Sequence, residues 1–294
     1  MRLAKRSRAK FLKDAIELRL FEKYVLSLKH NHKYKFFVQP GDRIANHTTV
    51  QGLFELYEIE SIAHIIDNFV NHQPTSNNVV ALDIGANVGS YSVALADKFK
   101  CILAFEPNPY VFKVLEANIY LNRTHNVLPY QIALGDKNEV LNLYESEEWN
   151  IGMASLTQYS EHARVISSAK VSVGDEFIPP LMTEGDVIGF VKIDVEGHEK
   201  KVISGLRKIL AQHKPLIGLE ISGGEVGAEL KKDLREIGYE HFYWIERRKS
   251  SAVASKFRRF IDLAYLGADF YLQPVDKLEN TFYSSVIAST KKIL

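Results

Sequence analysis

Short apolar runs recur along this chain with amphipathic stretches between them, and that alternation leaves few folds open. VVALDI (79–84), CILAFE (101–106), VLPYQIAL (127–134), VIGFVKIDV (187–195) and PLIGLEI (215–221) read as strands. Between them GSYSVALADKF (89–99), PYVFKVLEANIYLN (109–122), EKKVISGLRKIL (199–210) and VGAELKKDLREIG (226–238) read as helices. A series of apolar strands alternating with helices demands a mostly parallel sheet with helices on both faces. VLNLYE (140–145) and AKVSV (169–173) read as further β segments, and EHFYWI, DFYLQPV and FYSSVIAS as an antiparallel C-terminal edge.

The 294 residues suit one large α/β domain with an added terminal piece. Residues 1–75 are expected to form a helical N-terminal extension, with a second helix around 54–70, and residues 76–294 the main domain. NHQPTSNN (71–78), polar and Pro-containing, marks the boundary. The only cysteine, Cys101, stands in an expected strand, which excludes a disulfide or thiolate cluster and agrees with a reducing, cytoplasmic setting. Net charge is +1 but unevenly spread. The first 30 residues and the run ERRKSSAVASKFRRF (246–260) are rich in Lys and Arg. The N-terminal stripe of Phe11, Leu12, Ala15, Ile16, Leu18 and Phe21 reads first as a helix packed on the main domain with its charges solvated. Its alternative is a peripheral contact with a membrane or another anionic surface.

Directly after the first strand of the series, Gly85 and Gly89 enclose ANV. Glycines there let the backbone turn tightly and approach a ligand without a Cβ in the way. A dinucleotide fingerprint reads G-x-G-x-x-G, but position 87 is Asn and Asp83 precedes the first glycine by two residues. A carboxylate there is unwelcome beside a pyrophosphate and suits a cationic ligand. Glu106 ends the second strand, where an acid accepts both ribose hydroxyls of an adenosine cofactor. Asp136, after ALG, is placed to accept from an adenine amino group. Acids at three successive strand ends, with the glycine pair, favour S-adenosylmethionine over a nicotinamide dinucleotide, whose second glycine is missing.

The fourth strand is the second anomaly. A strand buried on both faces should be apolar throughout. In VKIDVEGHE (191–199) the apolar Val191, Ile193 and Val195 instead alternate with Lys192, Asp194 and Glu196, followed by Gly197 and His198. At strand period the three charged side chains share a face at the cofactor end. Unpaired buried charge is costly, so Lys192 is expected to pair with Asp194 or Glu196. The cluster reads either as a structural ion pair or as a site that recognises and deprotonates a nucleophile. Asp194, Glu196 and His198 are possible metal ligands, but no second ligand cluster is visible and no metal is expected.

LDIGANVGSYS, FEPNP, LEANIYLN, ALGD, NIGMASL and KIDVEGHE, in this order over about residues 50–222, resemble the FkbM family of S-adenosylmethionine-dependent methyltransferases. QGLFELYE (51–58) resembles the family's segment before the first strand. The resemblance implies a class I methyltransferase, Rossmann-like fold, and O-methylation of a sugar or natural-product hydroxyl. It implies that Asp83, Gly85, Asn87 and Gly89 line the methionine moiety, that Glu106 holds the ribose and that Asp136 holds the adenine. Asn150 and Ser155 would sit near the methyl group or acceptor, and Lys192, Asp194, Glu196 and His198 would form the acceptor side. Asp194 or His198 is the candidate base and Lys192 the residue that orients the acceptor. The chain departs from the family at VSVGDEFIPP, where a Leu-Asp pair is usual, so that Asp175 is displaced. The expected partner is a small-molecule or saccharide acceptor. A nucleic-acid substrate has only the split basic runs in its favour, and a non-catalytic cofactor-binding module conflicts with an intact KIDVEGHE.

Overall fold

The computed structural model describes residues 33–38, 52–69, 78–144, 154–158, 163–221, 224–247, 270–275 and 284–293, with isolated positions at 16, 19, 44, 45, 47 and 48. The chain forms α1 (Leu56–Phe69), β1 (Val79–Ile84), α2 (Ser90–Ala94), β2 (Cys101–Phe105), α3 (Pro109–Asn122), β3 (Val127–Tyr130), β4 (Ala133–Gly135) and β5 (Glu139–Tyr144). It continues through β6 (Val165–Val173), α4 (Gly174–Phe177), β7 (Val187–Ile193), α5 (Glu199–Gly205), α6 (Arg207–His213) and β8 (Leu216–Ile221). It ends with α7 (Gly224–Glu236), β9 (His241–Arg247), β10 (Phe270–Pro274) and β11 (Ser284–Ser289). Of the expected N-terminal helix only Ile16 and Arg19 are described, both helical and exposed; the rest of its stripe, and most of the 246–260 basic run, lie outside the described residues. No described helix is long and apolar enough to cross a membrane.

The main sheet has eight strands in the order β10-β9-β11-β8-β7-β1-β2-β3. The strands from β8 to β3 are parallel. β11 is antiparallel to both its neighbours, β8 and β9, and β10 is antiparallel to β9. The C-terminal strands are therefore antiparallel, as expected, with β11 inserted into the sheet and β10 at its edge.

Side-chain alternation in the strands divides the core in two. Val80, Leu82 and Ile84 of β1 face α5, α6 and α7 through Val202, Ile203, Leu206, Ile209, Leu230 and Leu234. Val79 and Ala81 face α1, α2 and α3 through Ile59, Ile62, Ile66, Tyr91 and Leu115. The helix upstream of the first strand is thus built into the core that covers one face of the sheet.

Two expected elements are divided. The third strand ends at Tyr130, and Ala133–Gly135 instead pairs with β6 in a separate three-stranded sheet, β4-β6-β5. Pro129 gives β3 no N–H at that position, which an edge strand tolerates. Consequently Asp136 follows β4, not the third strand of the main sheet, and is exposed. The expected helix 199–210 breaks at Leu206. A Cβ on Gly205 would lie 1.8 Å from the Gly135 carbonyl oxygen, so a residue poor at sustaining a helix is imposed there by close packing. Asp175 starts the second piece, accepting from the N–H groups of Lys208 (2.8 Å) and Ile209 (2.9 Å). The displaced acid is a helix cap, away from the charged end of β7.

The fully buried Ile66 of α1 provides a test of this packing. Ile66→Ala is expected to lower the unfolding free energy by about 2–5 kcal/mol in urea titrations. A loss near zero would show that α1 is an appendage.

Candidate active site

The C-terminal ends of β1, β2 and β7 meet at the glycine turn. Gly85 N and Ala86 N both donate to the Phe105 carbonyl at 2.9 Å, and Asp194 N donates to the Ile84 carbonyl at 3.0 Å. Gly85 has φ 82°, and a Cβ there would lie 1.7 Å from the Asp194 carbonyl oxygen. No other residue lets β1 and β7 approach so closely. Gly89 (φ 92°) starts α2 against Leu115, and Asn87 between them also has a positive φ, 51°. The turn is therefore held in a left-handed, strained path that directs backbone toward the sheet end.

Glu106 is 7% exposed. Its Oε2 accepts from Asn87 N (2.9 Å) and its Oε1 from Asn108 N (2.8 Å), so one carboxylate ties the glycine turn to the start of α3. Burial pushes the Glu106 carboxyl up to about 7, against these two hydrogen bonds. Asn108 caps α3 by accepting from Tyr110 N at 3.0 Å, while its buried Nδ2 has no partner among the described residues. Asp83 is buried and accepts from the Ser92 hydroxyl at 2.5 Å; burial raises its carboxyl as well.

β7 lies beside β1 with Lys192 opposite Asp83. The Lys192 ammonium is buried, 3.2 Å from Asp194 Oδ2 and 4.6 Å from the centre of the Tyr91 ring, and Gly218 on β8 leaves space for its stem. The expected pairing is therefore present. Around it stand acids that the sequence reading did not single out: Glu55 before α1, Glu58 within it, and Glu220 at the end of β8. Burial alone would push Lys192 down, but Asp194, Glu220, Glu55 and Glu58 hold it well above the usual lysine range. Glu58 accepts from the Tyr91 hydroxyl at 2.8 Å. Burial pushes Glu55 up to about 8, with Glu58 adding to it and Lys192 opposing. Glu220 rises to about 9 through burial and the neighbouring Asp194. Glu196 rises to about 7 for the same two reasons. One ammonium thus faces six carboxyl groups, Asp83 included, drawn from β1, the end of β7 and its turn, β8 and the start of α1.

Past β7, the charged residues no longer share a strand. Glu196 (φ 49°) and Gly197 (φ 90°) form a left-handed turn. Ser155, itself buried, donates to the Glu196 carbonyl at 2.8 Å, and the Thr157 hydroxyl reaches the Gly197 carbonyl at 3.4 Å. Ser155 thus acts on the backbone of the turn; Asn150 lies outside the described residues. His198 does not join the acids. Its Nε2 is buried without a partner among the described residues and faces Gly135, where a Cβ would lie 3.1 Å away. Burial lowers its pKa to about 4, with Lys201 adding to that and Asp136 opposing. Gly197 turns the chain before His198, so the side chain packs beneath β4 instead of following Asp194 and Glu196.

Comparison with known proteins agrees with this architecture. The Methyltransferase FkbM domain matches residues 83–244, more than half of the chain. The protein belongs to the FkbM methyltransferase family. Its α/β sheet, with β11 reversed within it, is the class I methyltransferase fold. A tRNA (guanine(37)-N(1))-methyltransferase, Trm5b, of Pyrococcus abyssi is 43% identical over 61 residues, 21% of this chain and 18% of that protein. Methyltransferase 1 of Beauveria bassiana is 27% identical over 161 residues, 48% of this chain and 64% of that protein. The hexuronic acid methyltransferase AglP of Haloferax volcanii is 27% identical over 191 residues, 64% of this chain and 75% of that protein. The chain therefore spans less than two thirds of the first two relatives.

The raised acids make stability depend on pH in a defined direction. A carboxyl whose pKa is higher in the folded than in the unfolded state stabilises the fold fully below the unfolded value, and that contribution is lost as pH rises through the folded one. Without added ligand, the melting temperature is expected to fall between about pH 5 and about pH 9, and Glu106→Gln to flatten the part of that fall below about pH 7. An identical slope in this variant would place the titration elsewhere.

Proposed function

We propose that the protein is an S-adenosylmethionine-dependent methyltransferase acting on a hydroxyl oxygen of a saccharide or another hydroxylated small molecule. The observation that carries this reading is Glu106, a buried carboxylate cross-linking the glycine turn and the start of α3. Each of its oxygens has one protein donor and keeps a lone pair with which to accept a ribose hydroxyl. The unpartnered Asn108 Nδ2 adds a buried donor next to it, and the turn leaves no side chain at Gly85 or Gly89. These residues fit an adenosyl ligand. Asp83, Gly85, Asn87 and Gly89 are assigned to its methionine end. Because Glu106 N donates to the Tyr130 carbonyl (3.1 Å), Gln131 and Ile132 follow β3 beside Glu106 and are better placed for the adenine than Asp136.

S-adenosylmethionine supplies a methyl group on a sulfonium centre. The chain's task is then alignment of the acceptor oxygen and removal of its proton. Asp194 takes that proton, and Lys192, fixed between Asp194 and Tyr91, orients the acid and the acceptor. Glu55, Glu196 and Glu220 bound the acceptor side. His198, whose buried Nε2 has no partner among the described residues, is assigned to packing, and Asp194 to the role of base. The hexuronic acid named for the archaeal relative supports a saccharide acceptor.

The first measurement is calorimetric titration with S-adenosylhomocysteine and, separately, with NAD. Binding of the former alone supports the reading; binding of NAD alone overturns it. Ribose hydroxyls donating to Glu106 favour its ionised form, so binding near pH 7 should release a proton, read as a heat that varies with buffer ionisation enthalpy. With an active saccharide acceptor in hand, Asp194→Asn should lower kcat about 100-fold or more while the affinity for S-adenosylhomocysteine stays within about threefold. Lost cofactor binding in this variant would move Asp194 into the cofactor site.

A further inference from the structure

The segment 34–38, upstream of α1, lies against α3 through a set of side-chain amides that imitate strand pairing. Asn122 Oδ1 accepts from Lys35 N at 2.9 Å, and its Nδ2 donates to the Lys35 carbonyl at 2.6 Å. One helical turn earlier, Asn118 Oδ1 accepts from Phe37 N at 2.6 Å, and its Nδ2 donates to the Phe37 carbonyl at 3.3 Å. Asparagines four apart on a helix are neighbours, and residues two apart on an extended segment face the same way, so the two spacings match. The intervening residues, Tyr34 and Phe36, pack against the core shared by α1, α2 and α3. The Tyr34 hydroxyl also reaches the Ala94 carbonyl at the end of α2, at 3.3 Å.

Asn118 makes one more bond. Its Nδ2 donates to the Val88 carbonyl at 2.8 Å, inside the turn bounded by Gly85 and Gly89. The side chain is fully buried, and its one acceptor and two donor hydrogens are all used. A single amide therefore holds the upstream segment and the left-handed turn together.

We propose that residues 34–37 form a strap over the cofactor turn and that Asn118 is the positioning residue coupling the two. The proposal rests on the turn being the S-adenosylmethionine site. The turn runs through positive φ at Gly85, Asn87 and Gly89, so it depends on outside bonds to keep its shape. The bond to Val88 is such a restraint, and the strap fixes the amide that makes it. Coupling of this kind is reciprocal: whatever the strap adds to cofactor affinity, the cofactor adds to strap closure. Asn122 separates the effects, because it holds Lys35 and, apart from donating to the Asn118 carbonyl within α3 at 2.8 Å, makes no bond toward the turn.

The test uses the full chain, with S-adenosylhomocysteine as the probe. Asn122→Ala should fold, as judged by its melting temperature, and bind the probe about three- to tenfold more weakly than the unaltered protein, the effect of about one hydrogen bond. Asn118→Leu should weaken binding further. In the unaltered protein, the probe should slow tryptic cleavage between Lys35 and Phe36 by a factor similar to the affinity lost in Asn122→Ala. Equal affinity in Asn122→Ala overturns the coupling, whether or not Asn118→Leu folds. No binding by the unaltered protein overturns the cofactor reading together with the strap's role, and is told apart from the first failure by that control.

Discussion

An ammonium group buried in the middle of a parallel sheet has to be neutralised where it stands. Lys192 is that group, and much of the molecule is arranged around it. Gly218 on one side leaves space for its methylene stem, and Asp83 lies opposite on the other. The Tyr91 ring covers it, Asp194 contacts it, and Glu220, Glu55 and Glu58 surround it. Two of these acids come from the region of α1, which precedes the first strand of the sheet. The helix is thus bound to the sheet side twice, by its buried isoleucines and by the acids at its N-terminal end, of which Glu58 accepts from the Tyr91 hydroxyl.

The second constraint is steric. β1 and β7 converge until the Gly85 backbone touches the Asp194 carbonyl, which is why Asp83 and Lys192 can share one site. Beyond that contact both chains turn through left-handed conformations and need support. The first turn has Glu106 and Asn118; the second has Ser155 and Thr157, carried by a segment bridged to β5 through Tyr144. The small sheet therefore supports the turn that carries Glu196, and the strap supports the turn assigned to the cofactor. Each is an addition to the doubly wound core placed where a strained turn needs a partner.

How much of this was legible in the sequence follows from the range of each interaction. Strands and helices were, because apolar periodicity is local: α3 falls where its spacing puts it, at 109–122. Strand-end acids were legible too, since a charge interrupting an apolar run needs a reason, and the Lys192–Asp194 pair follows from the cost of an unpaired ammonium. Glu55, Glu58, Tyr91 and Glu220 were not, because each is an ordinary residue in its own segment and meets the lysine only in three dimensions. Had the single lysine been weighed against the acids at the ends of β8 and in QGLFELYE, an excess of carboxylates would have been visible. The division of the third strand and the helix break at Leu206 arise from pairing with β6 and packing of Gly205 on Gly135. His198 was grouped with the acids by the family resemblance, and no periodicity anticipates where the left-handed turn at Glu196 and Gly197 sends the next side chain.

The balance of charge around Lys192 constrains the acceptor. Burial and neighbouring acids raise the Glu55 and Glu220 carboxyls, which favours protonated forms that donate as well as accept beside an ion pair. A surface of mixed donors and acceptors suits hydroxyl groups, which also do both. An acceptor presenting a phosphate or carboxylate to this cluster would meet more acids than one lysine can offset. An acidic saccharide is compatible only if its own acid points away from β7 and its hydroxyl points in. If the acceptor is the saccharide proposed above, the acids around Lys192 bear on how it would lie in the site as well as on which group would react.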